Sequence, residues 1–513
     1  MNSRTSGFLL HPTSLPGRWG IGDLGQQAYD FVDFLEKAGQ QIWQILPLGP
    51  TGHGNSPYQC LSSFAGNTML ISLDELFKQG WLKAEEAESV PSASRLRDER
   101  VDYAAVGELK SWCLNRAYER FRDHPSYDQR ARFASFCAAE QEWLEDFALF
   151  VALKDHHGGV SWDRWEHSAV LREPQALQNW KQRLHNQVEA NKFFQFAFFE
   201  QWGRLKAYAN RKGIRIVGDM PVFVAYDGAD VWAHPDLFFL DENRRATVMA
   251  GVPPDYFSPT GQLWGNPLFR WDRMADDGYH WWISRVKNTL ELVDIVRLDH
   301  FRGFEAYWEV EAGAQTAAKG RWVKGPGEKL FQALKHAVGG LPFLAEDLGL
   351  ITPEVEQLRD QFDLPGMKVL HFAFGGSAAN PYLPHNHVRK CVVYTGTHDN
   401  DTTLGWFNCL ATSEKKVIEE YLGHAVRQPC RDFLRLAFSS VADIAIVPVQ
   451  DLLCLGSDAR MNVPGVADGN WEWRLRQGEL SDKLAAELKN ITLFYGRGQQ
   501  RRIELKELAG ETE

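Results

Sequence analysis

The sequence predicts an α/β protein folded as a (β/α)8 TIM barrel, and three observations predict it. Eight short apolar runs of strand character recur along 513 residues. Most are separated by segments with apolar residues at helical spacing, and alternating strand and helix implies a parallel sheet that eight units can close. Three of the runs end at their C-terminal tips in a carboxylate, on the side of a barrel where functional residues gather.

The first strand is Gly7-Phe8-Leu9-Leu10, followed by a helix over 25–38 with Tyr29, Phe31, Phe34 and Leu35 on its apolar positions. The second is Gln41-Ile42-Trp43-Gln44-Ile45-Leu46. Roughly 165 residues then intervene, far beyond a βα loop. Much of that stretch reads as helix, over 109–122, 129–154 and 191–212, so a large, mostly helical insertion is assigned to about 55–190. The last helix leads into the third strand, Ile214-Arg215-Ile216-Val217-Gly218, and a smaller excursion follows over about 222–271. A helix over 281–292 precedes the fourth strand, Val293-Asp294-Ile295-Val296-Arg297. Phe343-Leu344-Ala345 is the fifth, and a helix over 353–362 opens with proline in its first turn. Gly366-Met367-Lys368-Val369-Leu370, Cys391-Val392-Val393-Tyr394 and Ile444-Ala445-Ile446-Val447-Pro448 complete the set. The remaining C-terminal stretch, with a helix over 480–489, is too short for a β-sandwich of about 100 residues. Residues 1–513 therefore read as a single barrel with insertions.

Bulk properties narrow the function. A net charge of −11 and a pI near 5.9 leave no basic footprint for nucleic acid, and no basic tract marks an anionic membrane. The polar N-terminus reaches only a short apolar run, which reads as a soluble, cytoplasmic protein without a membrane span. Seven scattered cysteines, never in a C-x-x-C pair, read as reduced thiols, not as disulfides or zinc ligands. His156-His157 and His385-x-His387 lack a third ligand and read as surface residues, so no metal or cofactor is expected.

The three tips are Arg297-Leu298-Asp299-His300, Ala345-Glu346-Asp347 and Gly396-Thr397-His398-Asp399. A single carboxylate at a strand end is usually a cap; three around one barrel mouth are the equipment of glycoside chemistry. Arg297 and Asp299 lie two apart on a strand and enter the mouth together, where the arginine would keep Asp299 ionised. Glu346 directly follows its strand and is preferred to Asp347. Adjacent parallel strands lie about 4.8 Å apart, so Asp299 and Glu346 can approach the roughly 5–5.5 Å separation of retaining glycosidases. Beside Asp399, a neutral His398 would suit sugar hydroxyls.

These stretches belong to a longer ordered set. It includes Asn55-Ser56-Pro57-Tyr58, Gly218-Asp219-Met220-Pro221-Val222, Gly251-Val252-Pro253-Pro254-Asp255-Tyr256-Phe257, Gly265-Asn266-Pro267-Leu268, Glu346-Asp347-Leu348-Gly349 and Arg460-Met461-Asn462-Val463-Pro464-Gly465. Along nearly its whole length the chain resembles the amylomaltase, or disproportionating, family of 4-α-glucanotransferases, glycoside hydrolase family 77, relatives of the α-amylases. The resemblance implies retaining double displacement on α-1,4-glucans and malto-oligosaccharides, with another glucan or glucose as acceptor and no cofactor. It implies Asp299 as nucleophile, Glu346 as general acid/base and Asp399 as the acid that binds and distorts the sugar. Tyr58, Asp219, Arg297 and His398 would line the subsite of the cleaved residue. The proline- and aromatic-rich stretch 251–265 would arch over the acceptor, with Asp255, Tyr256, Phe257, Gln262 and Trp264 in contact with sugar, joined by Asn462 from after the last strand. An α-amylase-type hydrolase would share the acids. The missing sandwich and the 251–265 pattern count against it. A glycan-binding protein on a dead barrel would have lost an acid.

Overall fold

The computed structural model describes residues 4–254 and 258–498. Eight parallel strands form one sheet: β1 (Thr5–Leu9), β2 (Ile42–Gln44), β3 (Arg215–Pro221), β4 (Ile295–Asp299), β5 (Phe343–Ala345), β6 (Gly366–Val369), β7 (Cys391–Tyr394) and β8 (Ile444–Pro448). Their order is β6-β7-β8-β1-β2-β3-β4-β5, so each of the eight predicted strands takes its place in sequence around a barrel. The strands are buried on both faces, as a sheet wrapped by helices requires. Gly7 is forced by close approach, since a Cβ there would sit 2.0 Å from the Ile42 carbonyl oxygen on β2.

The ring closes between β5 and β6 by other means than a ladder. Ala345 N–H donates to the Pro365 carbonyl at 2.9 Å, and Met367 N–H donates to Asp347 Oδ1 at 2.6 Å. Arg359 pairs with Asp347 Oδ2 at 2.6 Å. Gly366 must be glycine for this seam, because a Cβ would lie 2.3 Å from Asp347 Oδ2.

Between β2 and β3 the chain is mainly helical. The predicted helix over 129–154 is two helices, Tyr127–Ala139 and Gln141–His156, broken at Glu140. Glu140 leaves helical geometry (φ −96°, ψ 12°), and its carboxylate accepts from Trp143 Nε1 at 2.6 Å. The 27-residue helix His185–Arg211 runs directly into β3. Its Phe193, Phe196, Phe198 and Trp202 are buried. Buried Gln195 and Gln201 each exchange two hydrogen bonds with the backbone of Gly66 and Ser72, fastening the strand-to-helix crossing to this helix.

A sheet that the sequence did not mark is present, and two expectations are corrected. A second, antiparallel sheet of Gln262–Pro267, Val248–Val252, Ala306–Glu311 and Arg321–Lys324 stands outside the barrel; its last two strands follow β4 and carry no clear period-2 apolar pattern. Cys430 and Cys454 are joined in a disulfide, where reduced thiols were expected, because the helix Pro429–Ser439 and the turn after Val449–Leu452 bring their Cα atoms to 5.5 Å. His387 is buried, not on the surface, with Ser440 Oγ at 2.7 Å and the Tyr382 carbonyl at 2.9 Å. Among the described residues no helix is long and apolar enough to cross a membrane.

Candidate active site

At the C-terminal mouth of the barrel, register does most of the assembly. Asp219 on β3 pairs with Arg297 on β4, so the two side chains stand abreast. Arg297 Nη1 lies 2.8 and 2.6 Å from the two Asp219 oxygens and 2.8 Å from Asp299 Oδ1. Residues two apart on a strand share a face, and Arg297 and Asp299 do. One guanidinium thus joins a sealed carboxylate to an open one: Asp219 is 0 % exposed, Asp299 28 %. Burial pushes the Asp219 carboxyl upward against the pull of Arg297. Burial also opposes charge on Arg297, but Asp219 and then Asp299 outweigh it and hold the guanidinium above its already high range.

Tyr58 arrives from the segment after β2. Its hydroxyl donates to Asp219 Oδ2 at 2.8 Å and lies 3.5 Å from His398 Nδ1, while the two rings stack at 5.0 Å and 17°. His398 Nε2 faces Asp399 Oδ2 at 3.3 Å. Burial works against a charged His398, but Asp399 prevails and raises the imidazole above its ordinary value. The walls of the cleft likewise resist charge on Asp399. His398 first and Asn462 after it outweigh them, and the carboxyl is held well below the usual carboxylate range. Asn462 Nδ2 donates to Asp399 Oδ1 at 2.6 Å, so its amide is directed at the acid.

Leu298 on β4 is in register with Ala345 on β5, which puts Asp299 and Glu346 at neighbouring strand tips. Glu346 accepts from His300 N–H at 2.8 Å and from Leu348 N–H at 2.9 Å. His300 takes a left-handed backbone (φ 54°) at this point. Burial and then the Asp299 charge push the Glu346 carboxyl up to about 8, against Arg297 and the two N–H donors. Neighbouring Asp347 turns away into the β5–β6 seam, which separates the two acids of that tip.

Two carboxyls on adjacent tips, one ion-paired and one held toward its protonated form, are an arrangement for breaking and making glycosidic bonds. The sequence profile of the 4-alpha-glucanotransferases, glycoside hydrolase family 77, matches residues 10–481. The chain belongs to this family. It is 52 % identical to the 4-alpha-glucanotransferase of Synechocystis over 97 % of this chain and 99 % of that one. The Thermus thermophilus 4-alpha-glucanotransferase is 53 % identical over 95 % and 97 %. In three dimensions it superposes on the Streptococcus agalactiae amylomaltase, solved in complex with acarbose, with a TM-score of 0.93 and 40 % identity, covering 96 % of this chain and all of that one.

The rim of the mouth is formed by the second sheet. Gln262 and Trp264 lie two apart on Gln262–Pro267, and Trp264 Nε1 donates to Gln262 Oε1 at 3.3 Å. The Trp264 ring meets His300 edge-on at 4.8 Å, which ties the rim to the tip of β4. Asp255, Tyr256 and Phe257 lie outside the described residues. The structure adds residues that sequence reasoning passed over. Trp471 sits 5.9 Å from the rings of both Tyr58 and His398. Arg460 donates to the Asp399 carbonyl at 2.6 Å and to the Asn462 carbonyl at 2.7 Å. Arg460 stands inside a motif already noted, whereas nothing local marks Trp471. Among the described residues no cluster of three His, Cys, Asp or Glu could hold a metal ion.

Proposed function

We propose that the enzyme transfers segments of α-1,4-glucans and malto-oligosaccharides to another glucan or to glucose by retaining double displacement. Asp299 attacks C1 of the donor sugar while Glu346 gives its proton to the departing glycosidic oxygen. The C1–O bond to the leaving chain breaks and a C1–Oδ ester to Asp299 forms. Esterification removes the Asp299 charge, which lowers the Glu346 pKa and makes it a base. Glu346 then takes the proton of an acceptor 4-hydroxyl, whose oxygen displaces Asp299 from C1. Asp399, aligned by His398 and Asn462, binds and distorts the donor ring through its hydroxyls. Tyr58, Asp219 and Arg297 complete that subsite. Gln262 and Trp264, with Asp255, Tyr256 and Phe257 of the same stretch, hold the acceptor and exclude water, which competes for the same ester.

The observation that carries this reading is the contrast between Asp299, held by Arg297 at 2.8 Å, and Glu346, held toward protonation on the adjoining tip. Incubation with maltotriose tests it. Glucose together with chains longer than three is expected, with few new reducing ends. Accumulation of short sugars alone would identify a hydrolase.

A further inference from the structure

Asp451 lies in the short helix Val449–Leu452 just beyond β8, is 2 % exposed, and has no part in the reaction described above. Its carboxylate reaches both ends of a single segment. Oδ2 accepts from Thr395 Oγ1 at 2.5 Å and from Thr403 Oγ1 at 2.7 Å, and Oδ1 accepts from Thr403 N–H at 2.6 Å. Thr395 is the first residue after β7, and Thr403 opens the helix Thr403–Cys409. Both threonines are fully buried. The residues between them include His398 and Asp399.

The donors to this acid all belong to the segment that carries Asp399. The acid is sealed from bulk solvent, in a setting where hydrogen bonds are electrostatically stronger than in water; burial pushes its carboxyl upward and the threonine donors work against that. A buried acid is a costly way to obtain stability alone, since apolar residues of similar size often serve as well. What it provides is geometry: a clamp at two points eight positions apart shortens the free loop to the few residues between them. Within that loop Asn400 Oδ1 accepts from Thr397 N–H and Oγ1 at 2.9 and 3.0 Å. Asn462 fixes the Asp399 carboxylate from outside. The helix bearing Asp451 is anchored in turn, because Cys454, three residues on, is joined to Cys430.

We infer that Asp451 is a positioning residue for the transfer reaction: by clamping Thr395 to Thr403 it sets the height and direction of Asp399 over the donor sugar. The inference rests on the role proposed for Asp399. If Asp399 engages the sugar most strongly in the transition state, loosening the clamp should lower kcat and leave KM nearly unchanged. A double-mutant cycle on maltotriose transfer measures this. Asp451→Asn is expected to lower kcat about tenfold, and by less than about twofold once Asp399→Asn is already present. Thr395→Val, which keeps shape and removes one donor, should show the same non-additivity at smaller size and serves if Asp451→Asn does not fold. Equal factors in both backgrounds would overturn the inference, because a general loss of packing has no reason to depend on Asp399. Unchanged turnover in Asp399→Asn alone would instead overturn the reading of Asp399.

Discussion

The barrel floor and the rim sheet are built on opposite terms. On the floor, Asp219 and Arg297 are all but sealed from solvent, and strand register holds Arg297 within 3 Å of both Asp219 and Asp299. On the rim, Gln262 is exposed and Trp264 half-buried, the sheet has four short strands, and its Arg321–Glu309 ion pair lies with the arginine in solvent. Charges fixed before substrate arrives stabilise a transition state without reorganisation. Contacts on an open surface suit the acceptor sugar of the proposed reaction, which must enter and leave at every turnover. In the proposed reaction the floor is where bonds break, and the rim is where the outcome of breaking them is decided.

The sharpest way to break this comparison is Asp299→Asn. It keeps the shape and the Arg297 contact but removes the attacking charge, so cleavage and transfer should fall together by several orders of magnitude at an unchanged thermal midpoint. A variant that keeps a tenth of wild-type turnover would place the nucleophile elsewhere.

Glu346 offers a smaller, more selective effect. Glu346→Gln should lose least with α-glucosyl fluoride, whose leaving group needs little protonation, and most with maltotriose. The pH dependence follows from the raised carboxyl. With its pKa near 8 in the free enzyme, the acid form is lost as pH rises through that value, and kcat/KM on maltotriose should decline there. The stability linkage has the same sign. A carboxyl raised in the folded state favours folding below its unfolded pKa and loses that contribution as pH climbs through its folded pKa. Glu346→Gln should therefore gain thermal midpoint relative to wild type at pH 9 compared with pH 5. An equal offset at both would remove the buried acid from the account.

The smallest expected effect is on the rim. Trp264→Ala should cost about 1–3 kcal/mol of acceptor binding, taking base stacking on aromatics as the guide. It should also raise the ratio of hydrolysis to transfer, read as new reducing ends against total bonds broken. Proportional loss of both would make the rim a wall of the donor site, and the division drawn here would fail.

The floor was legible because parallel strands convert sequence into position. Arg297 and Asp299 two apart, and an acid directly after Leu344-Ala345, specify a shared mouth once the barrel is inferred. Preference for Glu346 over Asp347 rested on the same pleat, and Asp347 does turn to Met367 and Arg359. Legibility stops where partners come from far along the chain. The hold of the Asn462 amide on Asp399, 63 residues away, could not be read from local pattern. The Cys430–Cys454 bridge and the strands Ala306–Glu311 and Arg321–Lys324 escaped for the same reason: tertiary neighbours, not local pattern, define them.

The β5–β6 junction gives the barrel a preferred place to come apart. Every other neighbouring pair in the ring is joined by a run of backbone bonds, while this one relies on Ala345 to Pro365 and on the Asp347 side chain. Local opening starts where backbone pairing is sparsest, and Glu346 sits on the lip of that opening. Opening there would expose the proton that the proposed mechanism transfers. Inactivation by heat should accordingly run ahead of global unfolding, as water reaches a carboxyl whose chemistry depends on keeping it out.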